Sequence, residues 1–103
     1  MNSQVTYEDI VEVCKKIFDP EIPQNIWDLG LVYSIDIGEE KNVDIRMTLT
    51  TPSCPVGPQF LNTVQTRVEQ VEGVDRCDVE LVWDPPWDRE MINEAARLQL
   101  GML

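Results

Sequence analysis

The sequence predicts a two-layer α+β domain in the order α-β-β-α-β-α, with a small three-stranded mixed sheet covered by helices. Three observations predict it. Apolar residues recur at helical spacing in three segments and alternate strictly in three others, and a polar loop containing glycine joins the first two alternating runs. A chain of 103 residues buries roughly 65% of its unfolded surface, enough for one modest core, so residues 1–103 are expected to form a single domain.

The first helix starts at Thr6-x-x-Asp9, with Thr6 as N-cap. Ile10, Val13, Cys14 and Ile17 follow on one stripe, and Glu12 and Lys16 support the wet face four residues apart. Asp19-Pro20 ends it, because proline cannot continue the ladder and turns its predecessor away from helical angles. About a dozen residues then lead to Gly30. Links between elements in compact domains usually run to roughly 4–6 residues, so a longer one invites a functional role; Pro20, Pro23, Ile22, Ile26 and Trp27 equally suit a stiffened, anchored loop.

Leu31, Tyr33, Ile35 and Ile37 alternate with Val32, Ser34 and Asp36, the first set facing the core. After the loop Gly38–Asn42, Val43, Ile45, Met47 and Leu49 alternate with Asp44, Arg46, Thr48 and Thr50, which completes a hairpin with one buried face. The Thr51–Pro58 stretch breaks the pattern. A second helix carries Phe60, Leu61, Val64, Val68 and Val71 to about Glu72, and Gly73 stops it. Cys77, Val79, Leu81 and Trp83 form the inward set of a third strand, parallel to the second because a helix crosses between them. Asp84-Pro85-Pro86-Trp87 halts that strand. Asp88 caps a last helix bearing Met91, Ile92, Ala95 and Leu98, which Gly101 ends.

Composition removes several classes of function. With 19 acidic against 8 basic residues the net charge is −11, which repels phosphate and disfavours nucleic acid and anionic membranes as partners. There is no histidine, so no Ser-His-Asp triad, Cys-His dyad or HExxH zinc site can be built from this chain alone. Three widely spaced cysteines are no disulfide framework, and neither a leader nor a membrane span is legible. A reducing, cytoplasmic setting is expected.

The cysteines divide by pattern. Cys14 and Cys77 lie on apolar stripes, where free cysteine acts as a small hydrophobe. Cys54 lies on none, between Pro52 and Pro55 in the turn that feeds the second helix. Whether Pro55 or Pro58 is the first helical residue, its sulfur is expected near the positive end of a helix dipole, which favours thiolate. The hydroxyls of Thr50, Thr51 and Ser53 could add hydrogen bonds; a small residue suited to a tight turn is the plainer alternative. Without histidine or a neighbouring cysteine, hydrolase and CxxC redox chemistry fit poorly, whereas soft-metal binding remains. A cluster wants about four thiolates. One Cys54 therefore argues against a resident cluster within one chain. It leaves a labile one shared with a second copy, an outside thiol or a client, or no cluster at all, with Cys54 serving in delivery or recognition.

Asp19, Glu21, Asp28 and Asp84 fall in loops, where carboxylates can orient a site, hold iron or bind a partner, or simply close turns. Trp87 suits either packing or anchoring a partner.

Four segments then carry a resemblance. Asp19-Pro20-Glu21, Asp28-Leu29-Gly30-Leu31-Val32, Met47 through Pro55, and Trp83-Asp84-Pro85-Pro86-Trp87 occur in register. Together, from about Tyr7 to Gly101, the chain resembles the small domain of SufT-type proteins. That domain is shared with PaaD of phenylacetate oxygenase maturation and with a eukaryotic subunit that targets cytosolic iron–sulfur delivery. The resemblance implies a compact α/β layer fold and a non-enzymatic accessory or transfer role in iron–sulfur cluster assembly. It further implies assembly proteins and client apo-proteins as partners, and at most a transient cluster. It carries the reactive, cluster-associated cysteine to Cys54, and the acidic signature to Asp19 and Glu21. The Trp83–Trp87 corner looks more like the SufT-type branch, since the additional C-terminal cysteines of the PaaD branch are absent here. Two other classes compete: a metal-free adaptor docking through its acidic surface and Trp87, and a thiol enzyme borrowing its base from a partner.

Overall fold

A computed structural model describes residues 5–50 and 57–101. Helix α1 (Tyr7–Cys14) is followed by strands β1 (Val32–Ile37) and β2 (Asn42–Met47), helix α2 (Gly57–Glu69), strand β3 (Arg76–Leu81), a 3-10 turn at Arg89–Met91 and helix α3 (Glu94–Gln99). The sheet order is β1-β2-β3, antiparallel between the first pair and parallel between the second. The fold is thus α+β with a mixed sheet, as the periodicity predicts.

At α1 the Asp9 N–H donates to Thr6 Oγ1 at 3.2 Å and the Thr6 N–H to Asp9 Oδ2 at 3.0 Å, a reciprocal cap that satisfies two orphan donors. The helix is shorter than predicted. Lys15 caps it, and tighter turns carry the chain to Ile17, still buried, and to Phe18, which bridges to Asn25. Ile10 and Cys14 of α1, Phe60, Val64 and Val68 of α2, and Val43, Ile45, Met47 and Cys77 of the sheet interlock in one core. Burial at roughly 25 cal/mol per Å² of apolar surface makes this layer the main source of stability.

Three expectations need correction. First, β1 does not alternate through Tyr33. The register shifts between Val32 and Ser34, so Val32 lies opposite Met47 while Ser34 lies opposite Arg46. The extra residue is a bulge that puts Val32 and Ile35 on the core face and releases Tyr33 from it. Second, Trp83 lies beyond the end of β3 and is 44% exposed rather than core, because the turn at Asp84 begins before its side chain can tuck in. Third, the last helix is two pieces. Asp88 caps only the 3-10 turn, with the Glu90 N–H donating to its Oδ1 at 2.7 Å. Ile92 is extended, and Asn93 caps α3 by accepting the Ala96 N–H at 2.8 Å. That break rotates the inward stripe to Ile92 and Ala96, leaving Ala95 and Leu98 exposed.

Candidate functional site

The acidic loop folds back on the exit of β2. Asp19 is buried, and its Oδ2 accepts the N–H groups of Glu21 at 2.7 Å and Ile22 at 2.8 Å. A short acidic side chain closing its own turn is the reason aspartate suits this position. The turn directs Glu21 outward, where Thr50 Oγ1 donates to its Oε1 at 3.4 Å, a long and weak contact. Pro20 meets Gln59, Phe60 and Thr63 of α2 around a hollow of about 260 Å³. Gly57 packs so closely that a Cβ there would lie 2.8 Å from Leu49 Cδ1. Thr48 is wholly buried: its N–H donates to Leu31 O at 2.9 Å, while its hydroxyl has no partner among the described residues.

The second and fourth segments meet at the neighbouring corner. Asp28 accepts Asn25 Nδ2 at 3.0 Å and Asn93 Nδ2 at 2.8 Å, and its carbonyl accepts the Asn93 N–H at 2.9 Å, tying the loop to the start of α3. Trp87 donates its indole N–H to Leu29 O at 2.7 Å and packs half-buried on the core. Gly30 has φ +76°, and a Cβ there would strike the Met91 carbonyl, so the position is closed to other residues on both counts. Tyr33, freed by the bulge, donates its hydroxyl to Pro85 O at 2.8 Å. Burial, then the charges of Asp88 and Asp84, pushes the Tyr33 phenol upward.

Two of the three cysteines are withdrawn from chemistry. Cys14 and Cys77 are fully buried, and burial pushes each thiol from 9.0 to about 12; at Cys77 the carboxylates of Glu69 and Asp78 add to it. Both stay protonated at neutral pH. Among the described residues no group of three or more Cys, Asp or Glu side chains is placed to hold a metal ion. Cys54 and Thr51 lie outside the described residues.

The structure therefore brings Asp19, Glu21 and Thr50 together, and separately joins Asp28 to the Trp87 corner and sets Asp84 near Tyr33. The two sets are joined through Gln24 and Asn25: the Asp19 N–H donates to Gln24 O at 3.0 Å, and Asn25 Nδ2 donates both to Gln24 Oε1 and to Asp28 at 3.0 Å. Sequence reasoning missed Asn25, Asn93, Thr48 and the outward role of Tyr33. The consecutive apolar pair Leu31-Val32 was the available signal for a break in alternation.

The described parts of the four segments lie at the end of the sheet where β1 begins and β2 and β3 end. A model of the family described as "Iron-sulfur cluster assembly protein" matches residues 7–81, and the chain belongs to that family. Within it, the chain is 43% identical over 98 residues to the "Fe-S protein maturation auxiliary factor" of Porphyromonas gingivalis, covering 95% of this chain and 93% of that one. It is 36% identical over 86 residues to the "Fe-S protein maturation auxiliary factor SufT" of Staphylococcus aureus, covering 84% of this chain and 98% of that one. A solved domain of unknown function from Bacillus anthracis superposes with a TM-score of 0.86 at 32% identity, over 93% of this chain and 92% of that one.

Proposed function

We propose that the chain is an accessory factor in iron–sulfur protein maturation, working through contacts with assembly proteins and client apo-proteins, with Cys54 as the thiol that handles the cluster. The observation that carries this reading is the fate of the other thiols. Cys14 and Cys77 are locked in the core as neutral filler, so Cys54 is the one cysteine left for chemistry. It stands three residues before Gly57, the first described residue of α2, in the segment between Thr50 and that helix. A thiolate there would draw on the helix dipole and on nearby hydroxyls, those of Thr50 and Thr51 included.

The cluster is cargo in this scheme. One thiolate per chain is about a quarter of a cluster's usual ligand set. A second copy, an outside thiol or the client must supply the rest, which makes the bound state transient and transfer easy. Asp19 shapes the turn that sets Glu21 beside Thr50, and in this scheme Glu21 is the carboxylate that would approach iron or a partner. A non-enzymatic role is what the auxiliary-factor names of its relatives support, and the chain offers no histidine as a base. No described helix is long and apolar enough to cross a membrane, and a cytoplasmic setting suits its thiols.

Anaerobic reconstitution with ferrous iron and sulfide tests the reading. The wild-type chain is expected to hold a labile chromophore that a small thiol or a chelator strips, and Cys54→Ser to hold none. An equally coloured Cys54→Ser protein would remove Cys54 from the scheme.

A metal-free adaptor is the second reading, and one observation reshapes it. Trp87 is committed to Leu29 and the core, whereas Trp83 is exposed. An adaptor would therefore present Trp83, with Trp87 holding the corner in place. Loss of binding to assembly proteins in Trp83→Ala, with Cys54→Ser unaffected, would favour it.

A further inference from the structure

The helices cover one face of the sheet; the other carries charge. Three aspartates stand in a single row across it, Asp36 directly opposite Asp44 and Asp44 directly opposite Asp78, all exposed. Like charges placed opposite each other on neighbouring strands are destabilising. The next row brings Arg46 against Glu80 at 3.3 Å, and Arg76 answers Asp78 at 3.4 Å. Neither Asp36 nor Asp44 has an ion pair among the described residues. A hollow of about 320 Å³ lies over this row. Beyond Arg46, which lines both, a second hollow of about 650 Å³ has Val32, Tyr33, Val82, Pro85 and Met91 in its walls, and Trp83 is exposed next to Val82 in the chain.

We propose that this open face is a docking surface for an extended protein segment that places a lysine or arginine over Asp36 and Asp44 and an apolar side chain in the hollow beside Tyr33. Charge complementarity selects the occupant: the uncompensated carboxylates demand a cation, and they repel nucleic acid. The apolar hollow demands a side chain that a bare metal ion lacks. Spacing follows from the strands. The level of Val82, whose N–H donates to Met47 O, lies three to four residues along β2 from Asp44, on the order of 10–13 Å at about 3.3 Å per residue. Side chains of an extended segment face the sheet at every second position, so the cation and the apolar anchor stand four residues apart. The residue between them lies over Arg46 and is small and uncharged. The proposal rests on the reading above in one respect, that the chain works through protein contacts, and it is independent of Cys54.

The test uses the full chain labelled with nitrogen-15 and the peptide acetyl-Thr-Lys-Thr-Ser-Thr-Leu-Thr-amide, with a second peptide carrying Glu in place of Lys. The first peptide is expected to shift amide signals around Asp36, Asp44, Val82 and Met91, and the second to leave them in place. In the double variant Asp36→Asn with Asp44→Asn, binding should weaken about three- to tenfold, as loss of two exposed charge contacts implies. That variant relieves repulsion and keeps side-chain size, so its fold should hold, which the unshifted remainder of the spectrum reports. Cys54→Ser should bind the peptide unchanged. Peptide binding with an inert Cys54 would sink the cluster-handling reading and leave this surface standing. Equal response to both peptides, shifts confined to the helical face, no response at all, or response to calcium or magnesium chloride without response to peptide would each overturn the docking surface.

Discussion

Raising the pH past the ordinary range of a thiol should unlock the core. Cys14 and Cys77 are fully buried and held near 12 in the folded chain, against 9.0 when unburied. Below about pH 9 the thiols are neutral in both folded and unfolded chains, so they add no pH dependence. Above that, the unfolded chain sheds their protons while the folded chain retains them, and stability falls until the folded value is reached. At pH 10 the linkage costs about 3 kcal/mol for the two thiols together, a large share of the roughly 5–15 kcal/mol typical of small domains. Urea midpoints at about pH 7.5 and pH 10 measure it. Other groups titrate in this range too, Tyr33 among them, so the informative comparison is with the variant Cys14→Ala with Cys77→Ala. Wild type should lose about 3 kcal/mol more than the variant over that span. Equal losses would show that these sulfurs are not held neutral by burial, and would reopen both as candidates for cluster chemistry.

Thiol titration of the native protein with a disulfide reagent at neutral pH should release one fast equivalent and, in denaturant, three, since the chain has three cysteines. Cys54→Ser should abolish the fast equivalent. Trp87→Phe keeps only a smaller aromatic ring and strands the Leu29 carbonyl that now accepts at 2.7 Å, and should cost at least about 1–2 kcal/mol in urea unfolding. Gly30→Ala combines a left-handed backbone with a clash against the Met91 carbonyl, and should cost about 2–4 kcal/mol by the same assay.

Most of the fold was legible because its elements follow simple periods. The stripe Ile10, Cys14, Val64, Val68 and the alternation Val43, Ile45, Met47 read true because each residue lies in a regular helix or strand with one dry face. Strand order was not legible, since periodicity records which face is buried and not which strand is the neighbour. Tyr33 departs from the alternation because a one-residue bulge exchanges the facing of Val32 and Tyr33 while Ile35 keeps its place on the core, and its cause lies in the pairing with Arg46 and Met47. Trp83 was misread because an alternating run does not announce where its strand stops. The C-terminal break escaped notice because Asp88 and Asn93 are both good caps five residues apart, and only tertiary contact decides how the chain divides between them. At the candidate site, the acidic and hydroxyl residues were visible as types. That Glu21 meets Thr50, or that Asp28 reaches Asn93 across 65 positions, depends on the closed fold.

A strain lacking this chain, complemented with either wild type or Cys54→Ser at equal protein level, puts the role of that sulfur to trial through the activity of its iron–sulfur enzymes. With the serine variant folded and abundant, those activities should stay as low as in the uncomplemented strain while the apo-enzymes accumulate. Full recovery with serine would mean that the chain serves its clients without a thiol, and that the chemistry assigned to position 54 is wrong.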